Sequence, residues 1–219
     1  MRRLLVISPH ADDETLGAYG FVDNWIKQGN DAYWLNVSTM KEEYGFSFNQ
    51  VTNRFEEIEK VKNLTGYKEI INLGLKPAGL KEYSENKIIS SIKEVFEKIK
   101  PEIVILPYPF DAHSDHKVVY DCAIACTKTF RAPYVKKILC MEILSETNFA
   151  SKVFNPNLFV GITEEQLTKK IDIMSVYSSE IKPPPFPRSK EAIKSQACFR
   201  GSACNQTYAE AFLIVKEII

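Results

Sequence analysis

Two stretches of this chain, Leu4-Leu5-Val6-Ile7 and Ile103-Val104-Ile105-Leu106, are apolar at every position rather than at alternate ones. A strand with one wet face alternates. A continuous apolar run needs cover on both faces, and a sheet sandwiched between helices supplies it. The intervening segments provide such helices. Residues 13–28 bring Leu16, Tyr19, Gly20 and Ile26 near one face and stop at Gly29. Ile88, Ile92, Val95, Phe96 and Ile99 form a helical stripe that ends before Pro101. Further strands are read at 32–38, 70–73, 137–143 and 157–162. Further helices are read from Asn49 or Thr52 to near Gly66, over 116–129 and over 163–176. Strands alternating with helices of about ten or more residues predict an α/β fold: a Rossmann-like three-layer sandwich with a mostly parallel sheet and right-handed crossovers. At 219 residues the expectation is one domain spanning 1–219.

Charge and hydropathy exclude several classes. Lys plus Arg (28) equals Asp plus Glu (28), so net charge predicts no nucleic-acid partner. The pairs Lys136-Lys137 and Lys169-Lys170 read as solvated faces. No stretch approaches the roughly 18 apolar residues that a membrane span requires. Met1-Arg2-Arg3 runs straight into a strand rather than into the apolar core of a signal peptide, so the expectation is a cytoplasmic protein. The five cysteines include no Cys-x-x-Cys and read as reduced thiols, with Cys122 and Cys126 sharing a helix face as small buried hydrophobes. Residues 182–188, Lys-Pro-Pro-Pro-Phe-Pro-Arg, cannot be helix interior. They form a rigid surface connection, a wall of an active-site mouth or, third, a polyproline ligand.

Function is concentrated just past the two apolar runs. His10-Ala11-Asp12-Asp13-Glu14 follows the first and His113-Ser114-Asp115-His116 the second, and these clusters hold all three histidines of the chain. Ligands of open α/β sheets bind beyond the carboxyl ends of strands, so two distant segments can meet in one crevice. Each cluster alone reads equally as turn and cap chemistry: Asp12 or Asp13 capping the next helix, Asp115 capping helix 116–129. Imidazoles and carboxylates gathered in both clusters favour a metal site. A catalytic zinc takes three protein ligands and leaves one position for water, whose pKa falls to about 7. A carboxylate that is not a ligand can then carry protons, and a protonated imidazole can stabilise an oxyanion.

Ser-Pro-His-Ala-Asp-Asp-Glu at 8–14 and His-Ser-Asp-His at 113–116 resemble the paired motifs of the LmbE-like, or PIG-L, metal-dependent N-deacetylases. Arg54 and Glu57 fit that family's Arg-x-x-Glu helix, and Glu142 follows the strand after the second motif. Ala209-Glu210-Ala211-Phe212 matches a C-terminal segment, and Tyr177-Ser178-Ser179-Glu180 resembles one that usually ends in Gln. Ala11 stands where Pro is commoner, and Ala18-Tyr19 replaces small residues. The resemblance implies zinc on His10, Asp13 and His116, with Asp12 as general base and then general acid. It implies His113 as the cationic oxyanion stabiliser, kept protonated by Asp115. Arg54 would reach a substrate hydroxyl or phosphate; its residue-level alternative is a helix-surface salt bridge with Glu57. Glu14 either faces substrate or is a first-turn acid favoured by the helix dipole. A His₂-Asp set also accepts iron(II), cobalt or nickel.

The implied activity is removal of the N-acetyl group from a small N-acetylated sugar or sugar conjugate, and the implied assembly, by analogy, is a homotrimer or hexamer. Rival readings are a hydrolase of a non-sugar amide or an ester, and a non-catalytic carbohydrate-binding protein on the same fold. A binding module would not need a base beside an open metal position. Dinucleotide binding is excluded because no Gly-x-Gly-x-x-Gly follows the first strand. The aromatic loop 44–48 is expected to help choose the acyl acceptor.

Overall fold

The computed structural model describes residues 1–219. Its strands are β1 (Arg3–Ser8), β2 (Asp31–Ser38), β3 (Glu69–Leu75), β4 (Ile103–Leu106), β5 (Lys137–Met141), β6 (Leu158–Ile162) and β7 (Tyr208–Glu217). Its helices are α1 (Asp13–Lys27), α2 (Phe48–Thr65), α3 (Glu85–Ile99), α4 (Ser114–Cys126), α5 (Glu164–Met174) and α6 (Lys190–Ser202). All seven strands form one sheet in the order β3-β2-β1-β4-β5-β7-β6. β1 to β5 pair in parallel, and β7 runs antiparallel to both β5 and β6.

The two fully apolar strands lie side by side at the centre, with Leu4 opposite Ile103 and Val6 opposite Ile105. Their side chains divide by parity, as a pleat requires. Leu4, Val6, Ile103 and Ile105 pack with α1, α2, α5 and α6, while Leu5, Ile7, Val104 and Leu106 pack with α3 and α4. This is the three-layer sandwich. Each fully buried Ile or Phe of the α3 stripe contributes about 1.5–3 kcal/mol, and Ile88, Ile92 and Phe96 are all essentially inaccessible. No helix is long and apolar enough to cross a membrane.

Several boundaries move from their expected places. α2 starts earlier than Asn49, because Ser47 and Gln50 form a reciprocal capping box; it ends where Gly66 adopts a φ of 85°. Helix 116–129 is α4, which starts at Ser114 and ends at Cys126; its N-cap is His113 rather than Asp115. Strand 137–143 stops at Met141. α6 and β7 carry no strong periodic signal, and their place comes from tertiary contact. Glu210 of β7 accepts the Gly20 and Phe21 N–H groups at 2.9 Å each and the Lys170 ammonium at 2.7 Å, locking β7 to α1 and α5. Arg200 of α6 grips Glu142 beyond β5 with two nitrogens. Cys122 and Cys126 are buried free thiols.

Candidate metal centre

From β1 the chain adds β2 and β3 on one side and then crosses over to add β4 and β5 on the other, so the strand order reverses between β1 and β4. That is the switch point where an open α/β sheet leaves a crevice. The loops after these strands carry the two histidine clusters into it. Asp13 Oδ2 accepts the His10 backbone N–H at 3.0 Å. The same oxygen lies 3.5 Å from His10 Nδ1 and 3.5 Å from His116 Nε2. His10, Asp13 and His116 thus offer three ligand atoms within 4.8 Å of one another.

Each imidazole is backed by a carboxylate on its other nitrogen. His116 Nδ1 is 2.8 Å from Asp111 Oδ2, and His10 Nε2 is 3.2 Å from Asp115 Oδ2. Such partners fix the ring and direct the free nitrogen at a metal. His116 Nε2 is buried without a protein partner. An orphaned, inward-turned imidazole nitrogen beside a carboxylate could serve as a metal ligand, and the donor types suit a divalent metal. His10, His113 and Asp115 also cluster, but that alternative set is already committed. Asp115 accepts the Ala78 and Leu80 N–H groups, and His113 Nδ1 accepts the Asp115 N–H at 3.1 Å.

Charge within the cluster follows from this geometry. Burial opposes ionisation of both rings, but their carboxylate neighbours outweigh it, raising His10 to about 9 and His116 to about 10. Burial also acts against Asp13, and the two imidazoles overcome it and hold that carboxyl below its ordinary range. Asp12 goes the other way. Its burial and the adjacent Asp13 charge push it well above the usual carboxylate value, with Arg188 pulling back. Neighbouring carboxyls with opposite shifts are suited to different tasks, the depressed one to a ligand and the raised one to proton transfer.

Asp12 occupies the N-cap position of α1 yet makes no capping bond with its side chain. Its φ of 138° is a conformation that L residues rarely adopt and that commonly marks a functional site. Two contacts hold it. Its N–H donates to Glu14 Oε2 at 2.9 Å, and its Oδ2 accepts from Arg188 Nη1 at 3.0 Å.

Three expected roles change, and for Glu14 the first-turn reading stands over the substrate-facing one. Asp115 does not hold His113 protonated; it serves His10, and burial and the His10 charge lower His113. Because His113 Nδ1 accepts a backbone N–H, its ring proton resides on Nε2, and the residue is a neutral donor rather than a cation. Arg54 borders the cavity but is not a free substrate handle. It is buried, its ion pair with Glu57 lies inside the protein rather than on its surface, and its other nitrogens engage Ala11 O, Ser179 and Glu180. Glu14 does not line the cavity; it takes hydrogen bonds from Asp12 N–H, Thr15 and Tyr177. Burial lifts its pKa to about 7.

The cavity over the cluster measures about 280 Å³ and is bordered by Asn36, Thr39 and Met40 from the β2 end, Pro77 and Ala78, Glu146, Glu180 and Arg188. Asp111, Glu146 and Arg188 carried no assigned role in the sequence reading. Arg188, the last residue of the proline-rich run, is the one residue of that run that borders the cavity. Asp111 was findable as an acid in the same segment as His116. The aromatic loop 44–48 contributes no residue to the cavity wall.

Comparisons with known proteins give the family and the fold. The family model for PIG-L, GlcNAc-PI de-N-acetylase, matches residues 5–127, more than half of the chain and both histidine clusters. The diacetylchitobiose deacetylase of Thermococcus kodakarensis is 22% identical over 231 residues, covering 100% of this chain and 85% of its own length. Among solved structures, a conserved protein of Thermus thermophilus superposes with a TM-score of 0.81 at 22% identity, covering 100% of this chain and 97% of its own. The 4-carboxy-2-hydroxymuconate hydratase of Pseudomonas putida superposes at 0.77 with 17% identity, covering 100% and 98%. The same backbone therefore carries more than one chemistry, and the reaction must be argued from the site.

Proposed function

The chain belongs to the PIG-L family, and from that premise we propose that it is a metal-dependent hydrolase that removes the N-acetyl group from a small N-acetylated sugar or sugar conjugate. The observation that carries this reading is the buried, unpartnered His116 Nε2 turned toward Asp13, with the base-like Asp12 next in sequence. His10, Asp13 and His116 would hold the metal, zinc by ligand preference and iron(II) or cobalt as alternatives. A divalent metal supplies Lewis acidity there, making water acidic near neutral pH and polarising an amide carbonyl.

The remaining work falls to side chains. Asp12 takes a proton from the water that attacks the acetyl carbonyl carbon. It returns that proton to the amide nitrogen as the C–N bond breaks, leaving acetate and a free amine. Arg188 fixes the carboxylate through Oδ2, so the other oxygen is presented for this exchange. His113 donates from Nε2–H to the carbonyl oxygen as charge builds there, the role of an oxyanion donor. Asp115 and Asp111 keep the two ligand imidazoles in register.

The test measures acetate and amine release from a panel of N-acetyl sugars by metal-loaded and chelator-stripped protein, with metal content of His10→Ala and His116→Ala. Metal-dependent acetate release, lost with the metal in both variants, is the expected result. Full metal content in both variants, or no acetate released from any acetylated sugar, would overturn the reading.

A further inference from the structure

Every acid around the cavity except one has a cation. Asp12 pairs with Arg188, Glu180 with Arg188 and Arg54, and Asp13 and Asp115 with histidines. Glu146 has no ion pair at all. Its single side-chain hydrogen bond is a long one, 3.4 Å from the Ser145 hydroxyl, although it borders the cavity together with His10, Asp12 and His113. A partly buried carboxylate without a counter-ion is costly unless something donates to it.

The turn that carries Glu146 is not loose. Ser145 sits at a φ of 72°, turning the chain sharply just before it. Thr147 accepts the Ile143 N–H at 2.9 Å and donates to Asp111 Oδ1 at 2.7 Å. Asp111 in turn holds His116. One hydrogen-bonded unit therefore fixes both a proposed metal ligand and an unpaired carboxylate on the cavity wall. Both arginines that border the cavity are already ion-paired, Arg54 with Glu57 and Glu180 and Arg188 with Asp12 and Glu180.

We propose that Glu146 is a specificity-determining residue that accepts hydrogen bonds from a pair of hydroxyls on a neutral sugar ring and disfavours a substrate carrying phosphate on that ring. This rests on the sugar-deacetylase reading above. A carboxylate matches two hydroxyl donors with its two oxygens, and a charged acceptor strengthens each bond. A phosphate in the same place would meet a like charge, and Arg188 on the same cavity wall is already shared between Asp12 and Glu180.

The experiment uses calorimetric titration of the metal-loaded protein with N-acetylglucosamine and with N-acetylglucosamine 6-phosphate, for wild type, Glu146→Gln and Glu146→Ala. Metal content and thermal stability of each variant are checked alongside. Wild type is expected to bind the neutral sugar in preference. Both variants should lose roughly tenfold or more in affinity for it, the scale of a hydrogen bond to a charged group, and the preference over the phosphorylated sugar should shrink or invert. Unaltered neutral-sugar affinity, parallel loss for both ligands, or no wild-type binding of the neutral sugar would each overturn the proposal. Acetate release is followed separately. Binding with the expected selectivity but without turnover would sink the deacetylase reading while leaving the role of Glu146 intact.

Discussion

Replacing Asp111 separates holding a metal ligand in place from holding the fold together. The carboxylate is completely buried, with side-chain exposures of 1% and 0% for His116 and Asp111, and it spans two partners, His116 Nδ1 at 2.8 Å and Thr147 Oγ1 at 2.7 Å. Asn has nearly the same shape and can still accept one of these bonds, but it removes the charge that makes His116 a strong donor. Loss of such a supporting partner typically weakens metal binding by about 10- to 100-fold. Asp111→Asn should therefore fold, bind metal more weakly by that factor, and lose turnover in proportion to occupancy. Asp111→Ala is harsher, because the buried imidazolium of the metal-free protein loses its closest carboxylate and keeps only Asp13, 3.5 Å away. Breaking a buried pair in this way costs about 3–5 kcal/mol. For a chain of this size each kcal/mol shifts Tm by about 2–4 °C, so a fall of roughly 6–20 °C follows. Competition with a chelating indicator reads the affinity, and scanning calorimetry of metal-free protein reads the stability. If Asp111→Asn binds metal within twofold of wild type while His116→Ala loses it, the backing carboxylate does not tune the ligand and the reasoning fails.

Three further outcomes follow from the same geometry. Asp12→Asn should keep its metal and lose about 10²- to 10⁴-fold in kcat; near wild-type turnover would place the base elsewhere. In metal-free protein, His10 and His116 are raised from 6.5 to about 9 and about 10, so the stability they contribute is complete below about pH 6.5 and lost as pH climbs through 9 to 10. Tm of chelator-treated protein should fall across that window, and metal loading should be weaker at pH 6 than at pH 8, since the same protons compete with the metal; a metal-free Tm that rises between pH 8 and 10 contradicts this. Gly201→Ala would put a Cβ 2.6 Å from Gln206 O and 2.7 Å from Thr207 O, backbone atoms that cannot swing aside. Its cost should be about 1–3 kcal/mol or more in chemical denaturation, and a neutral result would mean that the α6–β7 turn relaxes freely.

The layered fold was legible because burial on both faces leaves an unmistakable mark: Leu4 to Ile7 and Ile103 to Leu106 have no polar position to spare, and α3 has a complete apolar stripe. The histidine clusters were legible because short motifs at strand ends keep their reactive residues close together in the chain. What could not be read were pairings between segments far apart. Whether Asp115 faces His113 or His10 is decided by how the loop at Ala78 and Leu80 approaches across the sheet, and that contact gave Asp115 to His10. Arg188 reaches Asp12 across 176 positions of chain, a meeting that depends on how α5 packs and on α6 and the antiparallel β7, and the local pattern places neither α6 nor β7. The freedom of Arg54 was overestimated for the same reason: its neighbour Glu57 is visible in sequence, whereas Ala11 O, Ser179 and Glu180 are brought to it only by packing. Residue type and local spacing determined which groups could carry chemistry; the long-range contacts of a closed core decided which of them come within reach of one another, which are held as braces, and which carboxylate of the cavity wall is left without an ion pair.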